Sequence, residues 1–178
     1  MGRMLEETYD VAGKATMQRL RRELAPQFSV AFAAAEPDLR LWMPNAAGER
    51  EDAAGFIDRC TEAFEVGSTF AYALVGSGGD VIGYLNLTPN ADHCVIGYWV
   101  HPEWRGQGLA PLAVRALTDA GFAALGAAGE RVHAHLDAAN VASKRVLEKA
   151  GFHHRETFIR PPRTSAESNT EWLYVRLR

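Results

Sequence analysis

The sequence predicts a mixed α+β domain built on a mostly antiparallel sheet with one parallel strand pair. Strand-like and amphipathic helical runs follow one another along the 178 residues. Between residues 69 and 100, three strand-like runs are separated by short turn signals, which is typical of an antiparallel meander. A long helical run then connects the third of these strands to another strand, and such a β–α–β unit requires a parallel pair.

Length and composition restrict the classes of function. The 19 basic and 22 acidic side chains give a net charge of −3, so no bulk attraction to nucleic acid or anionic lipid is expected. The apolar fraction of 47% and the charged fraction of 23% are ordinary for one globular domain. The sequence has no apolar run long enough for a spanning helix and no signal-peptide core, so we expect a cytoplasmic protein.

The first part of the chain predicts a weak strand and two helices. Residues 1–15 have no periodicity, and we expect a loose arm or a short helix there. A weak strand signal covers residues 17–22, and a helix is predicted over residues 26–36, where Pro37 is expected to end it. A second helix is predicted over residues 51–66 from apolar side chains at spacings of three and four.

The rest of the chain predicts six strands and two helices. The strands are expected at residues 69–75, 81–87, 93–100, 131–137, 152–159 and 171–177. The first helix begins at Leu109 and ends near Gly126; the second covers residues 140–150, with Gly151 as its left-handed cap. Because no linker or repeat interrupts this order, residues 17–178 are predicted to form one domain after an N-terminal arm of residues 1–16.

The segment before the long helix has the character of an anion-binding loop. It reads Trp99-Val-His-Pro-Glu-Trp-Arg-Gly-Gln-Gly-Leu-Ala110. Gly106 and Gly108 allow backbone N–H groups to approach a ligand, and the N-terminus of the following helix adds partial positive charge. A pyrophosphate group is the natural ligand of such a loop.

Three cofactor-binding loops share this general design. The mononucleotide P-loop needs Lys followed by Ser or Thr, and the sequence has no such pair. The dinucleotide fingerprint GxGxxG matches at Gly106 and Gly108, but Pro111 occupies its third glycine position. The coenzyme A loop, Q/R-x-x-G-x-G/A, is matched at every fixed position by Arg105, Gly108 and Ala110.

Together with the segment downstream, this loop resembles the GNAT superfamily of N-acetyltransferases. Asn140 and Ser143, followed by Gly151-Phe152, match the family pattern N-x-x-S…GF. The segments Leu39-Arg-Leu-Trp-Met-Pro44 and Ile96-Gly-Tyr-Trp99 are similar to the bacterial branch that acetylates the N-termini of ribosomal proteins.

This resemblance covers roughly residues 17–177 and implies both a fold and a reaction. The implied fold is the GNAT fold, in which the parallel strands splay apart and helices cover both faces of the sheet. The implied reaction is direct transfer of an acetyl group from acetyl-CoA to a primary amine, which is a protein or peptide N-terminus or a small molecule. Neither nucleic acid nor membrane is an expected partner, and the protein is expected to be a monomer or a homodimer.

The resemblance also implies site residues. The expected cofactor-binding residues are Trp99, Val100, His101, Arg105, Gly106, Gln107, Gly108, Leu109, Ala110, Asn140, Ser143 and Arg145. Ser143 is implied as the hydrogen-bond donor to the departing thiolate. Relatives often carry a glutamate base at positions where this chain has other residues, so the base stays open among His93, His101 and Glu103.

Several features of the sequence permit more than one interpretation. Residues 141–163 carry six basic and two acidic side chains, a local charge of +4 that suits an anionic cofactor as well as a solvated face. His133, His135 and Asp137 alternate along one strand, which favours polar packing over a metal site, and no metal is predicted. Cys60 and Cys94 are expected to be free thiols, with Cys60 in the core. The alternative function is a catalytically silent acyl-CoA sensor.

Overall fold

The computed structural model describes residues 4–43 and 53–178. The described strands are β1 Thr8–Val11, β2 Ala15–Arg19, β3 Phe70–Gly76, β4 Val81–Pro89, β5 Cys94–Val100, β6 Arg131–Asp137, β7 His153–Ile159 and β8 Thr170–Leu177. The described helices are α1 Ala25–Trp42, α2 Ala53–Glu65, α3 Leu109–Ala124 and α4 Val141–Lys149. No helix within these ranges combines the length and the apolar character that crossing a membrane would require.

The strands form one sheet in the order β1-β2-β3-β4-β5-β6-β8-β7. In the described part of the chain, neighbouring strands are antiparallel except for β5 and β6, which are parallel and are connected by α3. The predicted class, a mixed α+β fold with a mostly antiparallel sheet and one parallel pair, is therefore confirmed.

Alternation along the strands divides the core between the two faces of the sheet. On β3, Tyr72 and Leu74 pack in a cluster with the apolar side chains of α3 and α4, on what we call the α3 face. Ala71, Ala73 and Val75 pack with α1 and α2 on the opposite side, the α1 face. Helices thus cover both faces, as predicted.

The N-terminal segment differs from the expected loose arm or short helix. Thr8–Val11 form β1, which pairs with β2 across a tight turn at Ala12 and Gly13. Val11 is 1% exposed, so this hairpin contributes to the core. This strand has four residues and one buried side chain, which is too few to produce a periodic pattern in the sequence. It forms because pairing with its neighbour in the sheet stabilises it.

Helix α1 continues through Pro37 to Trp42, so the prediction that Pro37 ends it is wrong. A proline inside a helix removes a hydrogen bond and costs about 3 kcal/mol. Beyond the proline, Leu39 is buried, and Arg40 donates two hydrogen bonds to Glu36 at 3.0 and 2.7 Å. These contacts offset the loss. Helix α2 confirms the second prediction from residue 53, while residues 51 and 52 lie outside the described residues.

The parallel strands β5 and β6 pair only at their beginnings. Among the described residues, their registered pairs are Cys94 with Val132 and Val95 with His133, and none follows. From Ile96 onward the two strands separate, which confirms the predicted splay. The result is an opening in the middle of the sheet, bordered by unpaired backbone.

Candidate active site

A cavity of about 800 Å³ occupies the opening between β5 and β6. Its wall includes Trp42 from α1 and His135 from β6 on the α1 face, and Ser143 from α4 on the α3 face. The cavity therefore reaches both faces of the sheet. It also extends to Gly106 and Gly108, so that one continuous space joins the glycine loop to the opening.

The edge of β5 supplies hydrogen-bonding groups to this cavity. The N–H of His101 donates to Ile82 O at 2.8 Å, and Tyr84 is the register partner of Trp99. Residues of an antiparallel strand alternate in the side to which they direct N–H and C=O, so His101 and Trp99 direct theirs towards β4. Tyr98 and Val100 consequently direct theirs into the opening, away from β4.

The glycine loop has the conformation that a close approach of ligand to backbone requires. Gly106 and Gly108 have φ angles of +76° and +77°, and a Cβ built at either position would meet no atom within 4 Å. Helix α3 begins at Leu109, and within the described residues no side chain caps its N-terminus. The first N–H groups of α3 therefore remain available to an anion.

Arg105 fixes this loop against two neighbouring elements. Its Nε donates to Val100 O at 3.0 Å, and its guanidinium forms an ion pair with Asp38 of α1. The Arg105 side chain is 42% exposed and lies in the cavity wall. These contacts hold the loop beside the end of β5.

On the α3 face, Ser143 is held by two polar side chains. Asn140 caps α4, because its Oδ1 accepts a hydrogen bond from the N–H of Ser143 at 3.1 Å. The hydroxyl of Tyr98 lies 2.8 Å from Ser143 Oγ and 3.3 Å from Ser143 O. Burial raises the pKa of Tyr98, so its hydroxyl stays protonated and can donate.

On the α1 face, His135 and Glu171 form a second polar pair. His135 Nδ1 lies 3.1 Å from Glu171 Oε1, and Arg160 Nε donates to Glu171 Oε2 at 2.6 Å. Burial raises the pKa of Glu171, but the hydrogen bonds from Arg160 and His135 outweigh burial and bring it below its ordinary value. Both His135 and Glu171 lie in the cavity wall.

The loop after β7 is organised around the buried carboxylate of Glu167. Arg160 Nη1 donates to Glu167 Oε2 at 2.9 Å, and the N–H of Arg163 donates to the same oxygen at 2.7 Å. The hydrogen bond from the Arg163 guanidinium lowers the pKa of Glu167, and the hydrogen bond from Arg160 adds to this effect. Burial opposes both, and the result is a pKa of about 2. The loop is also tied to α1, since Thr164 Oγ1 donates to Leu41 O at 2.7 Å.

Comparison with known proteins identifies the family of this chain. The sequence model described as the acetyltransferase (GNAT) domain matches residues 15–153. The chain belongs to the GNAT acetyltransferase family. A search of curated proteins finds no match.

Solved structures of acetyltransferases share the fold at low sequence identity. The microcin C7 self-immunity acetyltransferase MccE, in complex with acetyl-CoA and AMP, is 14% identical with a TM-score of 0.85, over 98% of both chains. RimL, a ribosomal L7/L12 α-N-protein acetyltransferase in complex with coenzyme A, is 16% identical with a TM-score of 0.85, over 96% of this chain and 98% of its own. A ribosomal-protein-S5-alanine acetyltransferase from Vibrio fischeri is 17% identical with a TM-score of 0.84, over 97% of both.

The GNAT cavity contains most of the cofactor-binding residues predicted from the sequence. Those in its wall are Trp99, Val100, Arg105, Gly106, Gly108, Leu109, Ala110, Asn140, Ser143 and Arg145. Gln107 is exposed and lies outside this wall, where its Nε2 donates to Glu103 O at 3.2 Å. At the end of β5, Val100 directs its backbone groups into the opening, whereas Trp99 and the following residue His101 direct theirs towards β4.

The three candidate bases lie away from the described cavity. His93 precedes the paired end of β5, where its ring stacks on His133 with 4.1 Å between ring centroids. It is five residues from Tyr98, or roughly 16 Å along an extended strand. His101 and Glu103 line a separate depression beside Gln27 of α1, because the turn after β5 leads the chain out of the sheet.

Two groups that the sequence analysis does not assign to the site also lie in the cavity wall: Tyr98, and the pair of His135 and Glu171. Tyr98 faces Ser143. The sequence contains a signal for this placement: on β5, Tyr98 follows Cys94 and Ile96 at spacings of two residues, so all three side chains lie on the α3 face. His135 and Glu171 meet through the pairing of β6 with β8. No local pattern in the sequence reports that contact.

The described residues include no group of three His, Cys, Asp or Glu side chains placed to hold a metal ion. Neither Cys60 nor Cys94 forms a disulfide, and both are buried, although the sequence predicts a core position for Cys60 only. The Cys94 thiol donates to Ala128 O at 3.2 Å, and burial raises its pKa to about 11. It is part of the core rather than of the cavity wall.

Proposed function

We propose that this chain transfers the acetyl group of acetyl-CoA to a primary amine, either a protein or peptide N-terminus or a small-molecule amine. The observation that carries the proposal is the opening between β5 and β6. It forms one cavity that ends at the glycine loop and reaches both faces of the sheet. MccE and RimL, which share the fold, are described in complex with acetyl-CoA or coenzyme A, and this supports the choice of donor.

The residues present fit such a donor along its length. The open loop at Gly106 and Gly108 and the uncapped start of α3 suit a pyrophosphate, and Arg145 and Lys149 add positive charge to the same wall. The unpaired backbone groups of Tyr98 and Val100 suit the amides of a pantetheine arm, which would lie along β5 in the manner of an additional strand.

The backbone of β5 would also polarise the reacting group. When bound, acetyl-CoA supplies a thioester whose carbonyl carbon is open to attack by an amine. The N–H of Val100 points into the opening and would donate to the carbonyl oxygen, where negative charge develops. The C=O of Val100 already accepts from Arg105, which fixes the orientation of this peptide group.

Ser143 would act on the other side of the reacting carbon. Its hydroxyl, held in place by Tyr98, would donate a hydrogen bond to the sulfur as the carbon–sulfur bond breaks. Because a free serine hydroxyl has a high pKa, Ser143 acts as a hydrogen-bond donor rather than as a dissociating acid. Asn140 fixes the start of the helix that presents it.

The acceptor would enter on the α1 face, past Trp42 and Met43. An α-amine with a pKa of about 8 costs roughly 1.4 kcal/mol to deprotonate at pH 7, whereas a lysine amine of about 10.4 costs roughly 4.6 kcal/mol. An N-terminal α-amine is thus the easier acceptor to activate. RimL is described as an α-N-protein acetyltransferase, which supports a protein N-terminus as acceptor.

Thermal unfolding with and without coenzyme A tests the donor, and release of free thiol from acetyl-CoA tests the reaction. We expect coenzyme A, but not NAD, to raise the melting temperature, and at least one amine in a panel of peptides and small amines to release coenzyme A. Ser143→Ala should keep the thermal shift and lose turnover. Binding of coenzyme A without thiol release from any amine would support the sensor, and absence of both would contradict the proposal.

A further inference from the structure

We propose that His135 is the general base of this transfer and that Glu171 positions its imidazole ring. The inference rests on the proposed function, because it names the group that deprotonates the acceptor amine. Three properties of His135 support it: its face of the sheet, its place in the cavity wall and the orientation of its ring.

His135 faces the side of the opening opposite Ser143. On β6, Ala134 and Leu136 pack in the core of the α3 face, so His135 between them projects to the α1 face. Ser143 belongs to α4 on the α3 face. An amine bound beside His135 and a sulfur bound beside Ser143 would therefore lie on opposite sides of the opening, which leaves the amine room to add to the carbonyl carbon without disturbing the contact between Ser143 and the sulfur.

Glu171 fixes the imidazole in the orientation of a base. His135 pairs in register with Leu173, and Asp137 pairs with Glu171, so Glu171 is the diagonal neighbour of His135. With its proton on Nδ1, His135 donates to Glu171 Oε1 at 3.1 Å and presents the lone pair of Nε2. The side chain of His135 is 44% exposed, so an amine or a bridging water can reach it.

The electrostatic surroundings of His135 come from four elements. Arg160 holds the Glu171 carboxylate through Nε at 2.6 Å and keeps it charged. The charged groups that line this side of the cavity with His135 are Glu171 on β8, Arg160 and Arg163 after β7, Asp137 on β6, and Asp38 on α1, whose charge is balanced by Arg105. The carboxylate beside the ring stabilises the imidazolium that forms when the base accepts a proton.

The proton balance of the step is complete with groups of this chain and water. His135 Nε2 accepts one proton from the acceptor ammonium and later releases it to solvent. The nitrogen lone pair then forms the carbon–nitrogen bond while the carbon–sulfur bond breaks, and its electron pair leaves with sulfur. The nitrogen loses its second proton to water after the bond has formed, and the thiolate, which the Ser143 hydroxyl stabilises by a hydrogen bond, takes up one proton from water, so that coenzyme A leaves as a thiol.

A matched histidine on the same strand makes the test specific. His133 lies two residues before His135 on the same face, but its ring stacks on His93 at the paired end of the strands. Burial is the main cause that lowers the pKa of His133. His133→Gln thus changes the same residue type on the same strand outside the cavity.

We would measure thiol release by wild type, His135→Gln and His133→Gln from about pH 6 to 9.5, with an α-amine and an alkylamine acceptor. At pH 7, His135→Gln should lower kcat/KM for an alkylamine of pKa about 10.4 by roughly 10² to 10⁴-fold. The loss should be smaller for an α-amine and should shrink as pH approaches the amine pKa, because a neutral amine needs no base. His133→Gln should keep the wild-type pH profile.

The positioning role of Glu171 has its own readout. Glu171→Gln keeps a hydrogen-bond acceptor but removes the charge that stabilises the protonated base, so kcat should fall with little change in KM. If His135→Gln folds with a wild-type melting temperature and matches His133→Gln in rate and profile, the role of His135 is overturned. If the wild type itself releases no thiol with any amine, the proposed function fails, and the inference fails with it.

Discussion

The hydroxyl oxygens of Tyr98 and Ser143 lie 2.8 Å apart, although the two residues are 45 positions apart in the chain. Tyr98 comes from the strand that leads into the glycine loop, and Ser143 comes from the first turn of α4. The pair therefore joins two walls of the cavity at the place where we propose that the leaving sulfur lies.

Tyr98→Phe should lower turnover while leaving coenzyme A binding intact. The variant keeps the partly buried ring but removes the hydroxyl that orients Ser143 Oγ. We expect kcat to fall about tenfold and the free energy of unfolding to fall by about 1 kcal/mol, the usual contribution of one hydrogen bond. Initial rates and thermal shifts with coenzyme A measure the two effects.

A double-mutant cycle shows whether Tyr98 and Ser143 act as a unit. If they do, Tyr98→Phe should cost little further activity when Ser143→Ala is already present, because the Ser143 hydroxyl that Tyr98 orients is then absent. Fully additive losses from the two substitutions would show that their hydroxyl groups contribute separately.

Gly108→Ala should weaken coenzyme A binding, and Gly13→Ala is its control. Both glycines have positive φ, at +77° and +66°, and an added Cβ meets no atom within 4 Å at either position. Each substitution should therefore cost roughly 1 kcal/mol of backbone strain in the free energy of unfolding. Only Gly108→Ala should also reduce the melting-temperature rise caused by coenzyme A. Equal thermal shifts in the two variants would contradict a ligand role for the loop.

Glu167→Gln should destabilise the protein and weaken the dependence of its free energy of unfolding on pH in the acid range. The pKa of Glu167 is about 2 in the folded chain against an ordinary value of 4.5. Because the folded pKa is the lower one, Glu167 stabilises the fold above pH 4.5, and this contribution is lost as pH falls towards 2. We expect a loss of about 3 kcal/mol at pH 7, measured by urea unfolding.

A surface ion pair provides the control for this loss. Glu130 and Arg178 pair at 3.2 Å with side chains that are 59% and 54% exposed. Glu130→Gln should therefore change the free energy of unfolding by less than about 0.5 kcal/mol, with an unchanged pH dependence. A similar effect from both substitutions would argue against a structural role for the buried network around Glu167.

The two thiols should be protected in the native state. Cys94 is fully buried with a pKa of about 11, and Cys60 is 8% exposed on α2. Since the thiolate is the reactive form, an aromatic disulfide reagent should label neither thiol rapidly at pH 7 and both on denaturation. Rapid labelling of Cys94 in the folded protein would contradict its placement in the core.

Several features of the fold and the site follow from short-range signals. Turn residues separate β3, β4 and β5, and the crossover helix between β5 and β6 predicts their parallel pairing. Gly106 and Gly108 predict the open loop, and Asn140 predicts the cap that presents Ser143. Each of these depends on groups a few residues apart, whose geometry is set by local backbone preferences.

Features that depend on distant neighbours could not be predicted in this way. The proline rule ends α1 at residue 37, yet the buried Leu39 and the contact of Asp38 with Arg105 extend the helix. Strand β1 is too short to show a periodic signal, and it forms because β2 supplies its hydrogen bonds. In both cases tertiary packing outweighs the local preference.

The sequence by itself determined the mixed α+β class, and it predicted the coenzyme A-type loop and Ser143 as a site residue. Only the tertiary structure decided which side chains complete the cavity. The insertion of β8 between β6 and β7 brings Glu171 to His135 across 36 positions, and the splay of β5 from β6 opens the sheet between them. Strand order and register are properties of the whole sheet, so candidate bases chosen by nearness along the chain fell outside the cavity, while His135 lies in its wall.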